Sequence, residues 1–199
     1  MKKIDIDNPA LLESLTLALG SGEIVMHPTE TCYGLAVDVF NQAALERLYR
    51  VKKMPFEKPL SILVDNFEMA EKYGQFSVFA KKLAQRFWPG PLSIVVPRTE
   101  ILPSFFNPGH KFVSIRCSSF DLCQEMVRSF GGPLTTTSAN FSGEPELYGP
   151  DVLDGVDLLV DAGFLEENAP STIVQVMDGG YLVLREGGVA LSDIEEMKN

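Results

Sequence analysis

The chain has 199 residues, of which 45% are hydrophobic and 22% charged, a composition that fits one well-packed core and excludes an intrinsically disordered protein. Its formal net charge of −10 argues against a general nucleic-acid binder, because phosphate backbones are normally bound by a surplus of basic residues. The first twenty residues lack the apolar core of a signal peptide, and no apolar run is long enough to span a membrane. The sequence therefore predicts a cytoplasmic protein with no membrane association. Cys32, Cys117 and Cys123 lack metal-ligand spacing, so we expect three buried thiols.

The first half of the chain alternates amphipathic stretches with short apolar runs. Leucines at helical spacing predict a helix from Pro9 to the glycine pair at 20 and 22. Asn41 is predicted to cap a second helix that runs to Val51, and further helices are predicted over 67–73 and 78–87. Apolar runs predict strands over 23–26, 35–40, 60–64 and 92–96.

The second half contains more strands than helices. Residues 98–111 are predicted to be irregular, and a strand is predicted over 113–116. Ser118 or Ser119 is predicted to cap a helix that ends at Gly131. Strands are predicted over 134–137, 158–160, 171–177 and 181–184, with a hairpin turn at 178–180 and a short final helix from Ser192. These elements predict one α/β domain over residues 1–199 on a mixed sheet, with no additional C-terminal domain.

Hydroxyl and amide side chains are concentrated between Thr135 and Ser142, where no charged residue occurs. Such residues favour local hydrogen bonds to the backbone over helix formation. A strand that ends in a turn of this kind can present hydroxyl, amide and backbone N–H groups to a ligand. An ordinary polar turn after a buried strand is the open alternative.

Cations are predicted at the ends of several elements. Together with the polar turn they form the candidate set Lys52, Lys58, Arg116, Arg185, Ser138 and Asn140. Such a set suits a phosphate-bearing ligand, although the chain has no glycine-rich phosphate loop. No metal-ligand cluster is apparent, so a divalent ion such as Mg²⁺ is expected to arrive with nucleotide phosphates. His27, directly after a strand, favours a structural over a catalytic role.

An ordered set of motifs resembles the YrdC family. The motifs are His27-Pro-Thr-Glu-Thr-x-Tyr-Gly34, Lys52 through Lys58-Pro-Leu60, Trp88-Pro-Gly-Pro-Leu92, Val113-Ser-Ile-Arg116, Thr137-Ser-Ala-Asn-x-Ser-Gly143, Pro170-Ser-Thr-Ile-Val174 and Leu184-Arg-Glu-Gly187. The resemblance implies a twisted mixed parallel and antiparallel sheet, flanked by helices, around a concave and positively lined cavity. It also implies a threonylcarbamoyl-AMP synthase, which joins L-threonine, bicarbonate and ATP and releases pyrophosphate in the threonylcarbamoyladenosine modification of tRNA.

The same resemblance implies roles for individual residues. Threonine contacts fall on Thr31, Arg116, Thr136 and either Ser171 or Thr172, and ATP contacts fall on Lys52, Met54, Lys58, Ser138, Asn140 and Arg185. Lys52, Ser138 and Asn140 are the implied catalytic residues. The implied partners beyond the substrates are tRNA or double-stranded RNA and the machinery that transfers the threonylcarbamoyl group to tRNA.

The departure from the family pattern that matters most is Met54, where the family has arginine; the other is Glu186, where proline is commoner. A thioether cannot pair with phosphate, so we expect ATP handling to be weakened by about tenfold to over a hundredfold, unless Lys53 or Arg50 substitutes. Two alternatives to the synthase follow. One is an RNA-binding or ribosome-assembly protein that uses the basic cluster of Arg47, Arg50, Lys52 and Lys53, and the other is a diverged nucleotide-binding paralogue.

Overall fold

A computed structural model of the chain describes residues 1–151, 153–177 and 179–197. Within these residues six helices form: α1 (Leu11–Gly20), α2 (Gln42–Val51), α3 (Phe67–Tyr73), α4 (Val78–Phe87), α5 (Asp121–Phe130) and α6 (Leu191–Glu196). The strands are β1 (Lys2–Asp5), β2 (Val25–His27), β3 (Gly34–Ala36), β4 (Ser61–Leu63), β5 (Leu92–Pro97), β6 (Phe112–Arg116), β7 (Leu134–Ser138), β8 (Leu158–Asp161), β9 (Thr172–Met177) and β10 (Gly180–Arg185).

The strands pair into one sheet in the order β1-β8-β2-β3-β7-β4-β6-β5-β9-β10. The sheet contains both parallel pairs, such as β4 with β6, and antiparallel pairs, such as β3 with β7. The predicted α/β fold with a mixed sheet is therefore confirmed. The order brings β7, which leads into the polar turn, to the middle of the sheet between β3 and β4.

Both faces of the sheet are covered. Successive residues of a strand point to opposite faces, so Leu35 joins the core on one side and Ala36 the core on the other. The helices α1 and α5 pack on the second face, and the buried residues of α2, α3, α4 and α6 belong to the first core. The chain can therefore bury strands that are apolar on both sides.

Local signals predict most element bounds well. The helices α3 and α4 have the predicted limits, and the Asn41 side chain accepts a hydrogen bond from the Ala44 amide at 3.0 Å, as its capping role requires. The prediction for the α5 cap is wrong. Phe120 occupies that position, and the Ser118 hydroxyl instead donates to the Glu30 carboxylate.

Other differences lie at the chain ends and turns. The first helix begins at Leu11, two residues later than predicted, because Asn8 forms a turn with the Ala10 amide. Strand β1 was not predicted, since its sequence is largely charged, and it adds in parallel to β8. The predicted 178–180 turn includes Asp178, which lies outside the described residues, but β9 and β10 pair as an antiparallel hairpin.

The three cysteines are free and buried, as predicted. In the part of the chain that the structure describes, no helix has the length and hydrophobicity needed to cross a membrane.

Candidate functional site

The sequence-predicted residues converge on one cavity of about 360 Å³. Its walls include all but one of the residues predicted to contact substrates: Thr31, Lys52, Met54, Lys58, Arg116, Thr136, Ser138, Asn140, Ser171 and Arg185. These residues come from sequence positions more than 150 residues apart, and the pairing of β3, β4, β6 and β7 brings several of them together.

Lys52 joins the end of α2 to the polar turn. Its side chain is 2% exposed, and Nζ donates to the carbonyl oxygens of Ser138 and Asn140 and to Asn140 Oδ1, the last two at 3.0 Å. The Ser138 hydroxyl donates to the same Oδ1 at 2.8 Å. Burial, and then the nearby charge of Lys58, lowers the pKa of Lys52 to about 8. The ammonium therefore stays protonated at neutral pH while it fixes the shape of the turn.

Arg116 ends β6 with a buried guanidinium. One of its terminal nitrogens donates to Thr31 Oγ1 at 3.1 Å and contacts Glu30 Oε1 at 3.0 Å. Burial opposes ionisation of Glu30, but Arg116 and the Ser118 hydroxyl bring the pKa of Glu30 below its usual value. The Arg116 Nε has no hydrogen-bond partner among the described residues although it is buried. An unpaired buried donor is costly, and other atoms of Arg116 line the cavity.

Ser171 and Thr172, between which the sequence left the choice open, occupy different positions in the fold. Ser171 lines the cavity, and its hydroxyl lies 3.1 Å from Ser93 Oγ and accepts from Arg185 at 2.9 Å. Thr172 is not among the lining residues, because its hydroxyl donates to and its oxygen accepts from the backbone of Val189. The structure thus places Ser171, and not the predicted Thr172, at the cavity wall.

Gly187 lets two backbone segments pack closely at this wall of the cavity. A Cβ at Gly187 would lie 2.0 Å from the Pro170 carbonyl oxygen and 2.8 Å from backbone atoms of Ser171 and Thr172. Only glycine permits the Arg185 segment to pack this closely against the start of β9.

Met54 lines the cavity where the family pattern has arginine, and neither of the two nearby cations takes that place. The Lys53 ammonium lies 3.8 Å from the centre of the Phe141 ring. The Arg50 side chain lines a separate shallow surface pocket with Arg47, and its Nε donates to the Glu46 carbonyl. Met54 is itself only 8% exposed. Neither Lys53 nor Arg50 therefore supplies the cation that the family pattern places at position 54.

Members of the basic cluster predicted around α2 are engaged in separate contacts within the protein. Arg47 donates to the Asp157 carboxylate at 2.8 and 3.0 Å, while Lys52 is buried and Lys53 lies against Phe141. This dispersal weakens the RNA-binding alternative, which depends on a shared basic face.

His27 is fully buried, and burial lowers its pKa to about 4, so its ring is neutral at physiological pH. Nδ1 lies 3.1 Å from the Pro28 carbonyl oxygen, and Gly34 packs against Nε2. It is absent from the cavity wall, which agrees with a structural role.

The cavity residues that the sequence did not indicate include Cys32, Ser93 and Glu146. Cys32 occupies the variable position of the first motif, and Ser93 lies within an apolar strand. Glu146 lies in an acidic segment that resembles an ordinary surface loop, so composition gave no sign that it faces the cavity.

The chain is similar to proteins of one family. The model of the Sua5/YciO/YrdC family, described as Telomere recombination, matches residues 17–187. Threonylcarbamoyl-AMP synthase from Pyrococcus abyssi is 30% identical over 182 residues, which are 88% of this chain and 54% of the relative. A putative threonylcarbamoyl-AMP synthase from Methanocaldococcus jannaschii is 32% identical over 189 residues, which are 92% of this chain and 89% of that protein. The chain thus spans about half the length of the Pyrococcus relative.

Solved structures resemble the whole described architecture. P. abyssi Sua5 complexed with L-threonine matches with a TM-score of 0.90 at 28% identity, over 99% of this chain and 61% of that chain. E. coli YciO matches with a TM-score of 0.87 at 22% identity, over 97% and 98% of the two chains, a likeness that concerns the fold alone.

Proposed function

Because the chain belongs to the Sua5/YciO/YrdC family, we propose that its cavity joins L-threonine, bicarbonate and ATP into threonylcarbamoyladenylate and pyrophosphate. The observation that carries the proposal is the convergence of the family's motifs, distant in sequence, on one cavity lined by Lys52, Lys58, Arg116 and Arg185. Two of the curated relatives carry the name of this synthase or its putative form.

The threonine end of the cavity is assigned to Arg116, Thr31, Thr136 and Ser171. The Arg116 guanidinium contributes to the cavity wall, and its charge and planar donors suit the amino-acid carboxylate. Thr31 and Thr136 add hydroxyls, and the Ser171 hydroxyl is oriented by Arg185. The similarity to Pyrococcus Sua5, whose solved structure is a complex with L-threonine, supports this choice of amino acid.

The ATP end is assigned to Lys52, Lys58, Ser138, Asn140 and Arg185. Lys52 brings a protonated ammonium to the polar turn, and Lys58 lies 3.4 Å from Ser142 Oγ on the same side. These charges would offset the phosphates and the pyrophosphate leaving group. The turn itself would orient the phosphate chain.

The chemistry then requires little from the protein beyond position and charge. The threonine amine forms a carbamate with bicarbonate, and a carbamate oxygen attacks the α-phosphorus of ATP as the bond to pyrophosphate breaks. Holding the reactants together in a largely buried cavity lowers the entropic part of the barrier. Mg²⁺ would enter with the ATP phosphates as part of the substrate. Among residues 1–151, 153–177 and 179–197, no group of three or more His, Cys, Asp or Glu side chains could hold a metal ion.

The product would serve the tRNA modification machinery in the cytoplasm. Direct binding of tRNA or double-stranded RNA by this chain has less support, since Lys52 is buried, Arg47 is paired with Asp157 and Lys53 lies over Phe141.

A second candidate function is a diverged nucleotide-binding paralogue. Met54 favours it, because neither Lys53 nor Arg50 replaces the missing cation in the cavity. Pyrophosphate release by the purified protein and by Met54→Arg separates the two candidates. The synthase proposal expects release from the wild-type protein that requires both threonine and bicarbonate, and faster release from Met54→Arg at low ATP. Release by Met54→Arg alone would favour the paralogue.

A further inference from the structure

Glu146 is an unpaired carboxylate in a cavity of cations. It and Glu144 are the two carboxylates among the described lining residues, which also include Lys52, Lys58, Arg116 and Arg185. Glu146 is half-buried and makes no hydrogen bond or ion pair with the described part of the chain. Glu144, by comparison, is exposed at the rim.

The backbone holds Glu146 beside Cys32. Three hydrogen bonds form a closed ring: Ala139 N to Tyr33 O at 2.8 Å, Tyr33 N to Leu147 O at 2.9 Å, and Leu147 N to Ala139 O at 3.2 Å. Glu146 directly precedes Leu147, and Cys32 directly precedes Tyr33, so both adjoin this ring. The acidic segment is therefore joined both to the polar turn and to the Thr31 segment, so the Glu146 position is built and not incidental.

The charge environment of Glu146 spans both predicted substrate ends. Electrostatic interactions link it to Lys52 at the polar turn, to Arg185 on β10, and to Cys32 next to Thr31. The remaining titratable or charged groups near it are Tyr148, Lys58, Arg116 and Glu144. Arg116 already has Glu30 as its ion-pair partner, whereas Glu146 is available to a ligand.

The proposed reaction supplies a ligand of matching chemistry. Threonine enters as a zwitterion whose ammonium must be held and must lose a proton before nitrogen can act as a nucleophile. The cavity cations suit carboxylate and phosphate groups but repel an ammonium group. A carboxylate is the group expected to receive it.

Resting on the proposed function, we infer that Glu146 binds the ammonium group of the amino-acid substrate and accepts its proton. The proton passes from nitrogen to the Glu146 carboxylate and leaves the neutral amine. The amine and bicarbonate then give the carbamate and one water, with the new bond between nitrogen and carbon. Glu146 returns its proton to solvent after the adenylate forms.

Glu146→Gln tests this inference, since glutamine keeps the size of the side chain but cannot act as the base. Pyrophosphate release at saturating ATP and bicarbonate should fall by about 100-fold at neutral pH, within the range usual for general bases. The ratio of wild-type to variant rates should shrink as the pH rises, because more free threonine then carries a neutral amine. The Glu146 charge favours protonated Lys52, so Lys52 loses its proton at lower pH in the variant. That effect alone would raise the ratio as the pH rises, which is opposite to the change expected for a lost base.

Two further variants make the test specific. Glu146→Asp keeps a carboxylate and should recover at least tenfold over Glu146→Gln. Glu144→Gln makes the same charge change two residues away and should stay within about twofold of wild type. Thermal unfolding of each variant checks that the fold is retained.

The outcomes distinguish the role of Glu146 from the synthase activity itself. If the wild type is active and Glu146→Gln has the same rate, the role of Glu146 is overturned and the synthase proposal stands. The same conclusion holds if Glu144→Gln loses as much activity as Glu146→Gln. A loss in Glu146→Gln that does not change with pH would also overturn the base. An inactive wild type would overturn the synthase proposal, and the role of Glu146 would fall with it.

Discussion

Replacing Lys52 by methionine removes the ammonium from the centre of the ATP end while keeping an unbranched side chain of similar length. In the protein this ammonium is almost fully buried and donates to three oxygens of the 138–140 turn. Its pKa of about 8 leaves it about nine-tenths protonated at pH 7. The variant therefore loses both a charge for the phosphates and the donor that shapes the turn.

The magnitude follows from these contacts. One charge-assisted hydrogen bond from the ammonium to a turn oxygen contributes about 1.5–3 kcal/mol, which corresponds to roughly tenfold to a hundredfold in rate or affinity. Distortion of the turn displaces Ser138 and Asn140 as well, so we expect kcat/KM for ATP to fall by about 100-fold to 1,000-fold. The assay is pyrophosphate release at varied ATP with saturating threonine and bicarbonate.

Lys53→Met is the matched control, because the neighbouring ammonium contacts the Phe141 ring outside the cavity. Its kcat/KM for ATP should change by less than about threefold. Threonine binding measured by calorimetry without ATP should persist in Lys52→Met, since Arg116 is untouched. A loss below fivefold in Lys52→Met, or equal losses in the two variants, would refute the reasoning.

Three further predictions follow from single contacts. The activity should decline above about pH 8 as Lys52 loses its proton, and an activity plateau to pH 10 would contradict this. Between pH 8 and 10.5 the contribution of Lys52 to the free energy of unfolding should rise, because the unfolded chain there binds a proton that the folded chain has lost. Arg116→Lys should raise KM for threonine by about 10- to 100-fold in steady-state assays, since lysine lacks the guanidinium fork, and an unchanged KM would remove Arg116 from the threonine end. Asn41→Ala should lower the free energy of unfolding by about 1 kcal/mol in urea titrations through loss of the α2 cap, without changing KM for threonine; unchanged stability would show that the cap contributes nothing.

Local chemistry made most elements predictable from the sequence. The cap at Asn41 and the helical spacing in α3 and α4 are short-range signals, and the structure reproduces them. The prediction of the α5 cap was wrong because the Ser118 hydroxyl donates to the carboxylate of Glu30, a residue 88 positions away. Strand β1 could not be predicted because it is stabilised by pairing with β8 and not by its own charged sequence. Long-range pairing is invisible to local rules.

The candidate site shows the same division. Residue types and motifs indicated Met54 and nine other residues that line the cavity. They could not distinguish Ser171 from Thr172, because only the fold shows that the Thr172 hydroxyl bonds to the backbone of Val189. They also could not tell whether Lys53 replaces the missing arginine, because its contact with Phe141 depends on how two loops pack. Glu146 was missed for the same reason, since a ring of backbone bonds brings an acidic loop to the cavity.

The central claim is that this cavity makes threonylcarbamoyladenylate. The most direct measurement is mass spectrometry of the nucleotide products after incubation of the purified protein with ATP, Mg²⁺, L-threonine and isotope-labelled bicarbonate. We expect an adenylate that carries the labelled carbon and that is absent when threonine or bicarbonate is omitted. A reaction mixture that contains only unchanged ATP, or that releases pyrophosphate without the labelled adenylate, would contradict the account.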